Sequence, residues 1–343
     1  MKMKKMAYLL AMAMIVLVVP KSHALMLGIY QKGALVPSVT YTATTNTVVG
    51  IICQLNCSPD ENLRDPHDAD NPAHHGDKNS ILGDEIVRHA PIGRIHWTFF
   101  DVDSHHKLDG YLECTDDEFI PFNWKAKAGP SAADKQGYLV FSIESKTNDD
   151  RVENWAINAN AFYLDSANND VAYIPVVPLA SDDLNGKGEV TKLTYGIRRG
   201  HRFDLRYWVP AEANAQTTLV IWLTDPIVNG KGKAVTQDVF VWNDLEDGVS
   251  TSVRLPHELN FLDPCNTDDF EFWPGYTDGF ISFKMPASVD GVAYSVVWSD
   301  KVGAAQTLLA AECGSNSTRV VYEETDQNKD CCAPGSKEHG YMQ

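Results

Sequence analysis

Positive charge is scarce in this chain: 29 Lys and Arg stand against 46 Asp and Glu, a net charge of −17. Such a polyanion is repelled by phosphate backbones and acidic lipid, which excludes nucleic acid and an anionic membrane surface as partners. Catalytic signatures are missing as well. Gly-x-Ser-x-Gly, His-Glu-x-x-His, the phosphate loop and the dinucleotide Gly-x-Gly-x-x-Gly do not occur, and neither does the Cys-x-x-Cys-His of covalent haem. Gly186-Lys-Gly188 and Gly230-Lys-Gly232 lack a third glycine and read as hairpin turns. Beyond Val19 there is no apolar run near the roughly 20 residues of a membrane span. Nothing here fixes a reaction, and the balance leans away from an enzyme.

What is present begins with a leader. Met1-Lys2-Met3-Lys4-Lys5 is a basic start, Met6 to Val19 is apolar, and Ser22 and Ala24 are small residues placed for cleavage before Leu25. Residues 1–24 therefore read as a signal peptide, which predicts an exported protein of the extracellular space, cell surface or periplasm. No membrane span is expected after cleavage.

Short runs rich in β-branched and aromatic residues, bounded by Asn, Asp, Gly and Pro, recur along the rest of the chain, and helical periodicity is scarce. Predicted strands cover 36–42, 47–53, 94–100, 138–144, 156–164, 171–176 and 193–198. A second group covers 203–209, 217–223, 237–242, 250–255, 279–285 and 293–298. This pattern predicts an all-β fold of antiparallel β-sandwiches, jelly-roll or immunoglobulin-like, with two packed units. The expected organisation is a first sandwich at 25–180 with a His-rich insertion at 58–91, a second at 181–311, and a Cys-containing polar tail at 312–343. The Trp residues near strand ends, at 97, 222, 242 and 298, follow no fixed period, which excludes a solenoid or propeller.

Seven cysteines, at 53, 57, 114, 265, 313, 331 and 332, lie beyond the leader, and an oxidising compartment permits disulfides. Cys53 and Cys57 are expected to be oxidised, to each other in a small loop or to another cysteine. The odd number leaves at least one free thiol, a metal-bound thiolate or an intermolecular bridge. Just downstream, His67, Asp70, His74 and His75 concentrate the imidazoles that Zn²⁺ or copper prefers. Asp101, Asp103 and His105 would join them on one face if their strand continued, because side chains alternate with period two. The bland alternatives are solvated histidines on a loop and a strand end running into a turn.

Calcium is the other metal the composition suggests. Asp165, Asn168 and Asp170, and Asp183, Asn185 and Glu189, gather hard oxygen donors in turns, although neither set completes an EF-hand. Several strands also end in Asp, as in Trp97 to Asp101 and Trp222 to Asp225, where an Asp closing a turn is the simpler explanation.

From Leu25 to Pro59 the chain carries one Lys and no other charge. Edge strands ordinarily carry charges that block pairing. The stretch must therefore be covered inside its own unit or donated to a neighbouring copy, burying Val36, Val39, Val48 and Ile51. Together these features predict an exported, non-catalytic structural or binding protein, self-associating through its N-terminal strand or binding carbohydrate. The alternative is a secreted metal-dependent or carbohydrate-active enzyme built on the His-rich insertion, since Trp124, Trp155, Trp208 and Trp273 could stack on sugars.

Overall fold

The computed structural model describes residues 31–54, 93–144, 155–167, 169–227, 236–266, 268–299, 306–309 and 311–313. The leader, the His-rich insertion and most of the tail lie outside these residues. In chain order the strands are β1 (Gly33–Val39), β2 (Thr45–Gln54), β3 (Gly93–Asp101), β4 (His106–Cys114), β5 (Phe119–Asn123), β6 (Gly137–Glu144), β7 (Ala156–Asp165), β8 (Asp170–Ile174) and β9 (Val177–Leu179). They continue as β10 (Arg202–Trp208), β11 (Ala215–Leu223), β12 (Thr236–Asn243), β13 (Gly248–Arg254), β14 (Leu259–Leu262), β15 (Asp278–Lys284), β16 (Gly291–Ser299), β17 (Gln306–Leu309) and β18 (Ala311–Cys313). A short α-helix, α1 (Trp124–Ala128), is capped by Asn123, whose side chain accepts from the Ala126 N–H.

The protein is all-β and its sheets are antiparallel and open. The four sheets have the orders β4-β3-β6-β1-β9, β5-β2-β7-β8, β13-β12-β15-β10-β18 and β14-β11-β16-β17. Period-two alternation explains most of them. On β2, Thr47, Val49, Ile51 and Cys53 are buried while Asn46, Val48, Gly50 and Ile52 face outward half-exposed. No helix among the described residues is long and apolar enough to cross a membrane.

Two hydrophobic clusters hold the sheets together. The first draws on β1 to β9, and also takes Val220, Trp222, Leu259, Val292 and Tyr294 from the later strands. The second takes Leu219, Ile221, Leu223 and Ala293 together with β10, β12, β13 and β15. Leu219 to Leu223 is an unbroken buried run. Successive side chains of a strand point to opposite faces, so even and odd positions of β11 serve different clusters. Within the β14-β11-β16-β17 sheet, β11 is thereby buried on both faces from Leu219 to Leu223.

Strand positions differ from expectation at several points, and one open alternative is decided. Residues 193–198 form no strand beyond an isolated bridge of Ile197 to Gly291, and 194–196 are bends, because the Leu193 N–H goes to Asp290 Oδ2 at 3.4 Å and the Thr194 N–H to Asp183 Oδ2 at 3.2 Å. β4 and β5 were not expected, since edge strands rich in exposed charge or proline lack an apolar run. The uncharged N-terminal stretch is covered within the chain: β1 pairs with β6 and β9, and β2 with β5 and β7. Val36, Val39 and Ile51 are buried there, and Val48 lies half-exposed on the outer face of β2.

Of the two pairings expected for Cys53, the structure shows the bond to another cysteine rather than the small loop to Cys57. Cys53 bridges Cys114, with Cα atoms 6.3 Å apart. Cys53 points into the core near the end of β2, and β4 in the facing sheet ends at Cys114, so the two meet between sheets. Gly93 makes room for this, since a Cβ there would lie 2.9 Å from the Cys114 sulfur and 2.8 Å from the Trp155 ring. Cys265 is disulfide-bonded as well. Cys57, Cys331 and Cys332 lie outside the described residues.

Candidate functional site

The turn after β3 is where early and late strands meet. β3 stops at Asp101 and the chain reverses, so residues 101, 103 and 105 do not continue along one strand face. Asp101 Oδ1 instead accepts the N–H groups of Asp103 at 3.1 Å and His105 at 2.9 Å, as a turn-closing Asp does. Its Oδ2 takes Lys107 at 2.8 Å. Burial raises the Asp101 carboxyl, but the bonds from Lys107 and the His105 N–H outweigh it and hold it below the usual range. Asp103 turns away to the His257 imidazole.

Behind this turn lies a hydroxyl–carboxyl chain that the sequence did not reveal. Ser104, at φ 60°, shares a 2.6 Å hydrogen bond with the Tyr138 hydroxyl, which donates to Glu258 Oε2 at 3.0 Å. The Leu259 N–H reaches the Val102 carbonyl at 3.2 Å and ties the same two segments together. Tyr138 stacks on Phe100 at 5.1 Å and meets the edge of Trp222 at 5.5 Å. Burial pushes Glu258 up to about 7; the Ser104 and Tyr138 bonds oppose this, while Asp225 and Glu189 add to it. Burial first, then the Glu258 charge, raises the Tyr138 phenol. A carboxyl poised near neutrality can hold or release a proton here. No local pattern in Leu255-Pro-His-Glu-Leu259 signals this role, because its partners lie more than 100 positions away, Tyr138 at 120.

The calcium candidates are separated into turn-closing roles. Asp165 and Asp170 are register partners at the β7–β8 turn, Asp165 taking the Ala167 N–H at 2.9 Å and Asp170 the Val171 N–H at 2.8 Å. Asn168 lies outside the described residues. Asp183 is fully buried, accepting from the Ala180 N–H at 2.9 Å and the Thr194 hydroxyl at 2.8 Å. Asn185 closes its own turn, accepting from Glu189 N at 3.0 Å while its amide donates to the Glu189 carboxylate at 2.6 Å. Among the described residues no group of three or more His, Cys, Asp or Glu side chains is placed to hold a metal. His67, Asp70, His74 and His75 lie outside them. A small pocket lined by Phe203, Leu223, Leu255, Phe283 and Met285 with Asp238 and Lys284 opens at the second cluster.

The other chemically distinct surface is the outer face of the β5-β2-β7-β8 sheet. Register places Phe119, Ile52 and Asn158 in one row and Pro121, Gly50 and Asn160 in the next. Asn123, Val48, Phe162 and Tyr173 form a third. None of these side chains is charged. Phe119 is 62% exposed and Phe162 38%. The Phe119 ring lies over Gly50, where a Cβ would come within 2.7 Å of it. By contrast, the outer face of β3 and β4 carries Arg94, His96, Lys107, Asp109 and Glu113, with His96 stacked on Tyr111 at 4.8 Å. The charge gap between Leu25 and Pro59 was the sequence signal for the uncharged face. Its partners in β5 and β7 were legible only through pairing.

Comparison of the chain with protein-family models, with curated proteins and with solved structures finds no match.

Proposed function

We propose that this chain is an exported, non-catalytic binding or structural protein made of two packed β-sandwich units, the first spanning about 25–180 and the second 181–311. The two hydrophobic clusters support that division, and β11, buried on both faces, supports packing of one unit on the other. The leader sequence supports export to the periplasm, cell surface or extracellular space.

The observation that carries a binding role is the outer face of the β5-β2-β7-β8 sheet. In a chain of net charge −17, a four-stranded surface keeps exposed aromatic rings among amides and admits no charge along its central rows. Exposed apolar surface rimmed by polar groups marks recognition sites. The seam carboxylates, in contrast, are engaged in closing turns and joining strands.

Purified full-length protein incubated with insoluble cell-envelope and extracellular polymers tests the reading. Retention on polymer with no release of soluble product is expected. Turnover of polymer, or of chromogenic glycosides and esters, that is lost on chelation would overturn it.

A further inference from the structure

The outer face of the β5-β2-β7-β8 sheet has the chemistry of a platform for one kind of partner. Its rings sit at two places, Phe119 on β5 and Phe162 beside Tyr173 on β7 and β8, the latter pair at 5.8 Å in an edge arrangement. Strand spacing and rise put the two platforms about 15 Å apart, which suits an extended chain better than a compact small molecule. Between them lie Asn158 and Asn160, whose backbones pair with β2 and whose side-chain amides make no hydrogen bond among the described residues. Each amide presents both donors and an acceptor, the complement of a sugar hydroxyl. Asn123 is already engaged, accepting from Asn46 at 3.1 Å while it caps α1. It borders the platform and fixes its shape.

Resting on the binding reading above, we infer that this face binds an uncharged polysaccharide, with Phe119 and Phe162 stacking on sugar rings and Asn158 and Asn160 bonding to hydroxyls. An anionic polymer would approach a strongly acidic protein without meeting a cation on this face, so repulsion excludes it. A cationic polymer would settle on the acidic surface elsewhere. A second copy of the chain fits poorly, because the face measures roughly 300 Å² from strand spacing and rise. Stable protein interfaces use about 800 Å² per partner. Burying Asn158 and Asn160 against a second protein would also leave amides in need of matched partners. Sugar hydroxyls can supply those bonds from a flexible, hydrated chain.

The test is affinity electrophoresis of the full chain through gels containing dextran, hydroxyethyl cellulose, xyloglucan or galactomannan, with alginate as the anionic comparison. Retardation by at least one neutral polymer, insensitive to added salt, is expected. Phe119→Ala and Phe162→Ala should each weaken it about tenfold, a loss of about 1.4 kcal/mol. Leu245→Ala, at an exposed turn far along the sequence, should leave it unchanged. Both aromatic variants remove exposed side chains, and unchanged thermal unfolding will show that they remain folded. No retardation by any neutral polymer, retardation by alginate alone, or retention unaffected by both substitutions would overturn the inference. A concentration-dependent dimer in sedimentation that Phe162→Ala abolishes would overturn it in favour of a second copy. Release of sugar from a retarding polymer would overturn the non-catalytic reading while leaving the face in its binding role.

Discussion

The Tyr138 hydroxyl donates to Glu258 Oε2 at 3.0 Å, joining a strand of the first cluster to the connection that leads into β14. The aromatic side of that seam, Phe100, Tyr138 and Trp222, is buried, so the carboxyl it holds is poorly hydrated and its charge is disfavoured.

The folded pKa of Glu258 is pushed up to about 7, against about 4.3 for an unperturbed Glu. Between these values the folded state binds the extra proton. The contribution of Glu258 to stability is therefore fully present below the unfolded pKa and lost as pH rises through about 7. Discounted for partial exposure, its size is on the order of 2 kcal/mol. Glu258→Gln should flatten this part of the profile. Denaturant unfolding of both proteins from pH 5 to pH 8 checks it, and parallel profiles would contradict it.

Cys53 and Cys114 close a separation of 61 residues between facing sheets. Constraint of the unfolded chain over such a loop is worth about 4 kcal/mol in the chain-entropy model. The paired substitution Cys53→Ala with Cys114→Ala should lower unfolding stability by roughly that amount. Non-reducing peptide mapping should recover a Cys53–Cys114 peptide, and a Cys53–Cys57 peptide would contradict the pairing.

Gly93 lies against the same bridge. Adding one methyl at a filled site forces neighbours to move, so Gly93→Ala should destabilise by about 1–3 kcal/mol. Thermal unfolding measures this; a variant as stable as its parent would show that Trp155 and the bridge have room to shift.

Trp222 and Ile221 are adjacent and fully exclude solvent, yet they serve different clusters. Because one strand carries both, unfolding should be a single calorimetric transition. Trp222→Ala should shift the whole of it at a cost of about 3–5 kcal/mol, and Ile221→Ala at about 2–5 kcal/mol. Two resolved transitions, each moved by one substitution only, would show that the clusters unfold independently.

Asp183 is a buried acceptor for the Ala180 N–H and for both the N–H and hydroxyl of Thr194. Asp183→Ala leaves these donors without their partner and should cost about 1–3 kcal/mol. Asn185→Ala, in the adjoining exposed turn, should cost less. Urea unfolding of the two variants side by side decides the order.

Much of the architecture was legible in the sequence because it depends on local periodicity. Runs rich in β-branched and aromatic residues across 47–53, 156–164 and 279–285 marked strands, and the scarcity of helical spacing marked an all-β chain. The acidic balance and the charge gap between Leu25 and Pro59 could be read directly. Tertiary structure alone decided how these pieces meet. The unbroken run Leu219–Leu223 does not announce that alternate side chains serve two clusters, and Cys53 does not announce that it faces Cys114. Glu258 acquires its raised pKa from burial, with Asp225 and Glu189 adding to it and the Ser104 and Tyr138 hydrogen bonds opposing it, all contributed by distant parts of the chain. Phe119 joins Asn158 and Phe162 on one face through the pairing of β5 and β7 with β2. Strand formation follows from neighbours along the chain, whereas register and sheet packing bring together residues whose separation leaves no local trace.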